Sequence, residues 1–222
     1  RSDQPGQDQH EASFASAELR WEGNNTFDLI GRFGVANSDI DYGYDEDWTH
    51  VGFDPWEYSS TDRYRRDRST VTGELRFVSN KSSPVLNDTT DWTLGVYSLD
   101  QNVDLRRDYT YLPVPYQSEF SVRRAALFGE TRSDLGGGIQ LTLGLRLERH
   151  SAAYRDTGNV RFDPSDTMVG GRFALEYQWK PSTRVYASLS RGYKAGGFNT
   201  DGSLDADLRR YEPESLINLE IG

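Results

Sequence analysis

The chain has 222 residues, a formal charge of −10 and no cysteine, which leaves no disulfide framework, no thiolate metal site and no cysteine nucleophile. Apolar residues make up 35 % and aromatics 13 %, with 21 Gly and a single Met, a composition ill suited to a helical protein. The acidic balance argues against a nucleic-acid partner, since phosphate binding draws on clustered Lys and Arg; a mean hydropathy of −0.76 and the lack of any apolar run near ~18 residues exclude helical membrane spans.

Arg1 to Ser13 is polar, lacks the basic and apolar regions of a signal peptide and has no initiator Met, so the chain is expected to be mature, cloned or a fragment. From there a period of two recurs. Ala15, Ala17, Leu19 and Trp21 alternate with Glu18 and Arg20, and Phe27, Leu29, Gly31, Phe33 and Val35 with Asp28 and Arg32. Val71, Gly73, Leu75 and Phe77 oppose Thr72, Glu74 and Arg76. Residues 92–103 and 120–132 also predict strands, but their parity is mixed and assigns no face. Ile139, Leu141, Leu143, Leu145 and Leu147 then oppose Gln140, Thr142, Gly144, Arg146 and Glu148. Val169, Gly171, Phe173, Leu175, Tyr177 and Trp179 oppose Arg172, Glu176, Gln178 and Lys180; Val185, Ala187 and Leu189 oppose Arg184, Tyr186, Ser188 and Ser190; Ser215 to Gly222 begins one more strand. This strict alternation is the signature of two-faced strands.

Connection lengths alternate along the chain. Glu22 to Thr26, Asn80 to Asp91, Asp134 to Gly138 and Lys180 to Ser182 are the shorter, turn-rich ones; Asn37 to Arg68, Asp104 to Gln117, Ser151 to Thr167 and Lys194 to Glu214 are longer and polar. Outer-membrane barrels have this asymmetry, with short periplasmic turns and long extracellular loops. Trp21, Phe27, Tyr177 and Trp179 flank short turns on the apolar parity, where an interfacial aromatic girdle lies. Arg, Glu and Gln on the other parity suit a hydrated or plugged lumen and not the dry space between packed sheets. The fold class is therefore all-β: an antiparallel transmembrane β-barrel segment of about nine strands, each near the ~9–11 residues of a tilted membrane strand. Single-chain bacterial barrels are even-stranded, so the nine are read as part of a larger wall.

Asp39, Asp41, Asp45, Glu46 and Asp47 concentrate carboxylates suited to Ca²⁺, but their spacing is not that of an EF-hand, and a solvated acidic loop is the expectation. His10, His50 and His150 are scattered, so no metal site and no cofactor are expected. The same long loop carries Tyr42, Tyr44, Trp48, Trp56 and Tyr58, then Arg63, Tyr64, Arg65, Arg66 and Arg68. Flat rings and Arg forks suit an anionic aromatic iron chelate, which makes Tyr42, Tyr44, Trp48, Trp56, Tyr58, Arg63, Arg65 and Arg66 the candidate ligand-binding residues. The alternative is that the Arg cluster meets lipopolysaccharide phosphate or balances the Asp run. Lys194-Ala195-Gly196-Gly197 lacks the Ser or Thr of a phosphate loop and precedes no helix; a strand-end bend in which Gly supplies unusual φ is expected instead. No activated nucleophile or acid–base pair is visible, so no enzymatic activity is expected.

The segment Arg191-Gly192-Tyr193-Lys194-Ala195-Gly196-Gly197-Phe198-Asn199, followed by Tyr211-Glu212-Pro213-Glu214 and by Glu220-Ile221-Gly222, resembles TonB-dependent outer-membrane receptors. Ala126-Leu127-Phe128-Gly129-Glu130, Leu141 to Arg146 and Gly73 to Ser79 are further matches in family order. Gly192, Tyr193, Lys194, Gly196, Gly197, Asn199, Pro213, Glu214, Glu220 and Gly222 carry that motif and are expected to be structural. The resemblance implies residence in the outer membrane of a Gram-negative bacterium, against lipid and lipopolysaccharide. It also implies a barrel of about 22 strands with a plugged lumen, a scarce ligand such as a ferric siderophore, and energy from the TonB complex. No TonB box, plug domain or terminal aromatic strand is recognisable, so residues 1–222 read as barrel wall and loops alone. Two other readings stay open: a soluble β-sandwich that binds carbohydrate, and a passive porin.

Overall fold

The structure, a computed structural model, describes residues 2–23, 26–53, 58–80, 89–199 and 205–222. The strands are β1 (Gln7–Trp21), β2 (Phe27–Asp45), β3 (Thr61–Ser79), β4 (Thr90–Tyr109), β5 (Tyr116–Gly136), β6 (Ile139–Asp156), β7 (Arg161–Phe162), β8 (Ser165–Lys180), β9 (Thr183–Lys194), β10 (Gly197–Phe198), β11 (Arg210–Tyr211) and β12 (Glu214–Ile221). Nine of them form one antiparallel meander in the order β1-β2-β3-β4-β5-β6-β8-β9-β12, with β7 beside β6 and the β10–β11 pair apart.

Register explains why the pattern is periodic. Leu127 stands opposite Leu147, Leu143 opposite Phe173, and Leu189 opposite both Phe173 and Leu219, so the apolar parities of successive strands fall on one face. A one-residue slip would turn every one of them to the polar face. Leu145 is 63 % exposed and Leu219 71 %, so among the described residues no second layer covers this face. A β-sandwich needs that second layer; the sandwich reading is overturned.

The opposite face carries ion pairs both between neighbouring strands, as Arg32 with Glu18 at 2.6 Å, and along one strand, as Arg76 with Glu74 at 2.7 Å and Arg146 with Glu148 at 2.6 Å. The buried side chains, including Ala126, Val122, Met168, Ala174 and Tyr154, also stand here, under their larger neighbours. The mixed parity of β4 and β5 now has a cause. Trp92, Leu94, Val96 and Leu127 lie on the apolar face, while Leu99, Phe120, Val122 and Phe128 are apolar residues on the charged face. Phe128 is flanked by the guanidinium groups of Arg76 and Arg146 at 5.8 and 5.7 Å, a cation–π arrangement.

Most strands are longer than the sequence suggests. Ladder bonds come from the backbone and persist where apolar side chains stop, so β2 and β3 stay paired from Asn37↔Ser69 to Asp45↔Thr61. The expected loop Asn37–Arg68 shrinks to residues 46–60, and Asp104–Gln117 to residues 110–115. At the other end Gly137 and Gly138 join β5 to β6, with φ of +64° and +80°, values that glycine adopts without steric cost. Trp21 and Phe27 meet edge to face at 6.2 Å, and Phe27 and Phe77 at 5.4 Å, at that same end, where the aromatic girdle was expected.

Candidate ligand-facing site

Above Val71, the last apolar residue on the apolar parity of β3, the period of two sorts the predicted ligand residues onto opposite faces. Tyr42 and Tyr44 of β2, Tyr64 and Arg66 of β3, and Arg107 and Tyr109 of β4 share the face that carries the Glu18–Arg32 and Arg146–Glu148 pairs lower down. Arg63 and Arg65 point the other way. There Arg63 forms a two-pronged pair with Asp41, and Arg65 pairs with Asp108 at 2.7 Å. Trp48 caps the strand end with φ of +58°, and Tyr58 lies in the return segment; Trp56 lies outside the described residues.

The inner-face cluster is built on Asp62, which is only 1 % exposed. Arg107 donates to it twice, Nε to Oδ1 at 2.8 Å and Nη2 to Oδ2 at 2.6 Å, and the Tyr64 and Tyr44 hydroxyls donate to Oδ2 at 2.9 and 3.3 Å. Burial pushes the Asp62 carboxyl up, but the bonds from Arg107 and the two phenols outweigh it and hold the group below the usual carboxylate range. Burial, then the bond to Asp62, pushes the Tyr64 phenol up to about 12. The Arg107 guanidinium lies over the Tyr64 and Tyr109 rings at 5.2 and 4.9 Å.

Aromatic contacts spread outward from this anchor. Tyr42 lies 5.7 Å from Tyr44 and 6.5 Å from Tyr64, Tyr44 lies 6.4 Å from Trp48, and Tyr111 bridges Tyr109 and Tyr58 at 5.5 and 5.8 Å. Below them Arg66 and Arg68 stand exposed on the same face and enter no ion pair among the described residues. The result is a wall of phenol rings held rigid by a satisfied buried carboxylate, with two uncompensated cations beneath it. Such a wall can stack flat ligands and attract anions.

Apolar alternation gives no signal for Asp62, Arg107, Tyr109 and Tyr111. The runs Asp62/Tyr64/Arg66 and Arg107/Tyr109/Tyr111 repeat at the same period of two and carry the missing information.

The Gly-rich motif sits where the chain turns back from the sheet. Past Gly197 the chain folds back as β10, pairs with β11, and inserts Phe198 against Phe120, Tyr154 and Phe162 at 5.6, 4.9 and 5.2 Å. Neither Gly196 nor Gly197 has positive φ; what they supply is room, since a Cβ would meet the Tyr211 backbone oxygen at 2.8 Å or its hydroxyl at 2.6 Å. Gly192 has open space around it, and Lys194 pairs in register with Glu214 just after Pro213. The Tyr193 hydroxyl reaches Arg146 and Glu148 at 3.1 and 3.2 Å, Tyr186 donates to Glu220 at 2.6 Å and bonds through its backbone to Gly222, and the Asn199 amide donates to the Arg209 carbonyl at 2.7 Å.

Comparison with known proteins supports the same architecture. The chain is 26 % identical over 148 residues to the pesticin receptor of Yersinia enterocolitica, covering 60 % of this chain and 21 % of that protein. It superposes with a TM-score of 0.71 and 18 % identity on the ferric yersiniabactin uptake receptor from Yersinia pestis, over 96 % of this chain and 32 % of that one. The alcaligin outer-membrane receptor from Bordetella pertussis gives 0.69 and 16 %, over 98 % and 35 %. The chain thus spans about a fifth to a third of the length of these relatives. The family model described as "TonB dependent receptor-like, beta-barrel" matches residues 1–222, so the chain belongs to the β-barrel of the TonB-dependent receptors of the Gram-negative outer membrane.

Proposed function

We propose that this chain is part of the wall of a receptor that imports an anionic, aromatic iron chelate of the ferric-siderophore class, with uptake energised through TonB. One observation carries the ligand class: Tyr42, Tyr44, Tyr64 and Tyr109 share the inner face with Arg66 and Arg68, which form no ion pair among the described residues. Rings offer flat apolar surface, and free guanidinium groups favour carboxylate, phenolate or catecholate oxygens. The names of the pesticin, ferric yersiniabactin and alcaligin receptors support the class without selecting a member. Lipid and lipopolysaccharide are the partners of the other face, where Arg63 and Arg65 already carry counter-charges.

The test uses the receptor expressed from the reading frame that encodes this chain. Ferric yersiniabactin and a ferric triscatecholate are titrated against wild type and an Arg66→Ala/Arg68→Ala double variant. At least one chelate is expected to bind, and the variant to lose about tenfold or more in affinity, as for a lost charge-assisted contact. Equal affinities would refute the assignment of these two cations. Uptake is expected to vanish when tonB is deleted; undiminished uptake would favour a passive pore.

A further inference from the structure

The acidic run at the end of β2 does not form one cluster. Asp41 is bound to Arg63, and Asp39 stands opposite Asp67 on the outer parity. Asp45 and Asp47 instead meet Asp3, brought from the start of the chain. Backbone bonds fix the meeting: the Asp3 amide donates to the Thr49 carbonyl at 3.1 Å, and the Val51 amide donates to Asp3 Oδ2 at 3.3 Å. Asp47 is held from both sides, accepting from the Thr49 amide at 2.9 Å and from the Ser60 amide at 2.7 Å. One oxygen from each of the three carboxylates lies within 4.8 Å of the others.

Asp45 is the anomaly. It is 5 % exposed, both its oxygens are shut off from solvent, and neither accepts a hydrogen bond; Asp3 Oδ1 is in the same condition. Among the described residues no Lys, Arg or His forms an ion pair with Asp3, Asp45 or Asp47. A buried carboxylate with neither donor nor counter-charge is costly, and costlier beside two others. The surrounding backbone bonds nevertheless hold all three in place.

We propose that Asp3, Asp45 and Asp47 bind a calcium ion that clamps the start of the chain to the β2–β3 connection. The donors are all hard oxygens, with no imidazole or thiolate among them. Calcium–oxygen distances of ~2.3–2.6 Å let two ligands across one ion lie about 5 Å apart, which the 4.8 Å spread allows. Magnesium, at about 2.1 Å, demands a tighter set. The clamp fixes the segment bearing Trp48 beside Tyr44, and it stands whether or not the chelate reading does.

The experiment takes the receptor carrying this chain, purified in detergent and stripped with EGTA, and titrates calcium by calorimetry. Terbium luminescence sensitised through the neighbouring Trp48 is the second readout. Asp45→Asn is expected to lower calcium affinity by at least the roughly tenfold that even an outer-shell loss costs, and to dim the terbium emission. In EGTA the same variant should melt no lower than wild type, because an amide removes an uncompensated charge. Asp3→Asn, outside every strand, should weaken calcium binding in the same direction without touching the sheet. Wild-type calcium binding in both variants, absence of binding at millimolar calcium, equal affinity for magnesium, or a marked loss of Asp45→Asn stability in EGTA would each overturn the proposal.

Discussion

Asp62 and Arg107 show how one buried pair can organise a surface. Two guanidinium bonds and two phenol bonds satisfy the carboxylate, and the rings that supply those phenols form the inner wall. Removing Arg107 while keeping Asp62 would leave a buried charge uncompensated, a change that costs about 3 kcal/mol in comparable sites. Arg107→Ala is therefore expected to loosen the upper β2–β3 and β3–β4 ladders, seen as faster amide exchange at residues 61–64 while residues 71–77 stay protected. The pH dependence has a definite sign. Because the folded Asp62 titrates below its unfolded value, its contribution is complete above the unfolded value and is lost as pH falls through the folded one. Exchange at residues 61–64 should rise only in acid below the ordinary carboxylate range, and exchange unchanged by Arg107→Ala would contradict this account.

At the level of strands, a barrel wall turns its apolar parity to lipid and its polar parity to the lumen, so neighbouring residues are expected to respond oppositely to charge. Leu189 lies on the apolar face between Phe173 and Leu219, and Ser190 on the polar face between Arg172 and Asn218. Leu189→Arg should destabilise folding into bilayers by about 2–4 kcal/mol if it lies near the midplane, whereas Ser190→Arg should be close to neutral; urea titration in vesicles distinguishes them. The faces of β1, β2, β3, β6, β8 and β9 were legible because lipid selects apolar residues at every second position. Those of β4 and β5 were not, because Phe128 takes its partners from Arg76 and Arg146, and Phe120 from Phe198 of the folded-back motif. Strand ends were illegible for a related reason. Above the lipid, pairs such as Arg65–Asp108 keep the ladder paired while erasing the hydrophobic signal.

On the scale of the whole chain, nine strands make one continuous wall with a lipid-exposed face and a charged, ring-bearing face, and the family match gives that wall its membrane. Five of the eight ligand candidates read from the sequence, Tyr42, Tyr44, Arg63, Arg65 and Arg66, lie on paired strands, and the pleat divides those five between the faces. The residue types were legible; their division was not, because a segment taken for a loop has no pleat. We propose that the inner parity above the apolar band is the ligand-facing surface. This chain contributes no cysteine, so single cysteines can be placed at positions 42, 64 and 66 and, as the opposite set, at 41, 63 and 65. The measurement is the rate of labelling by a membrane-impermeant maleimide, with and without saturating ferric chelate. Protection confined to 42, 64 and 66 is the predicted result; protection of 41, 63 and 65, or of neither set, would contradict it.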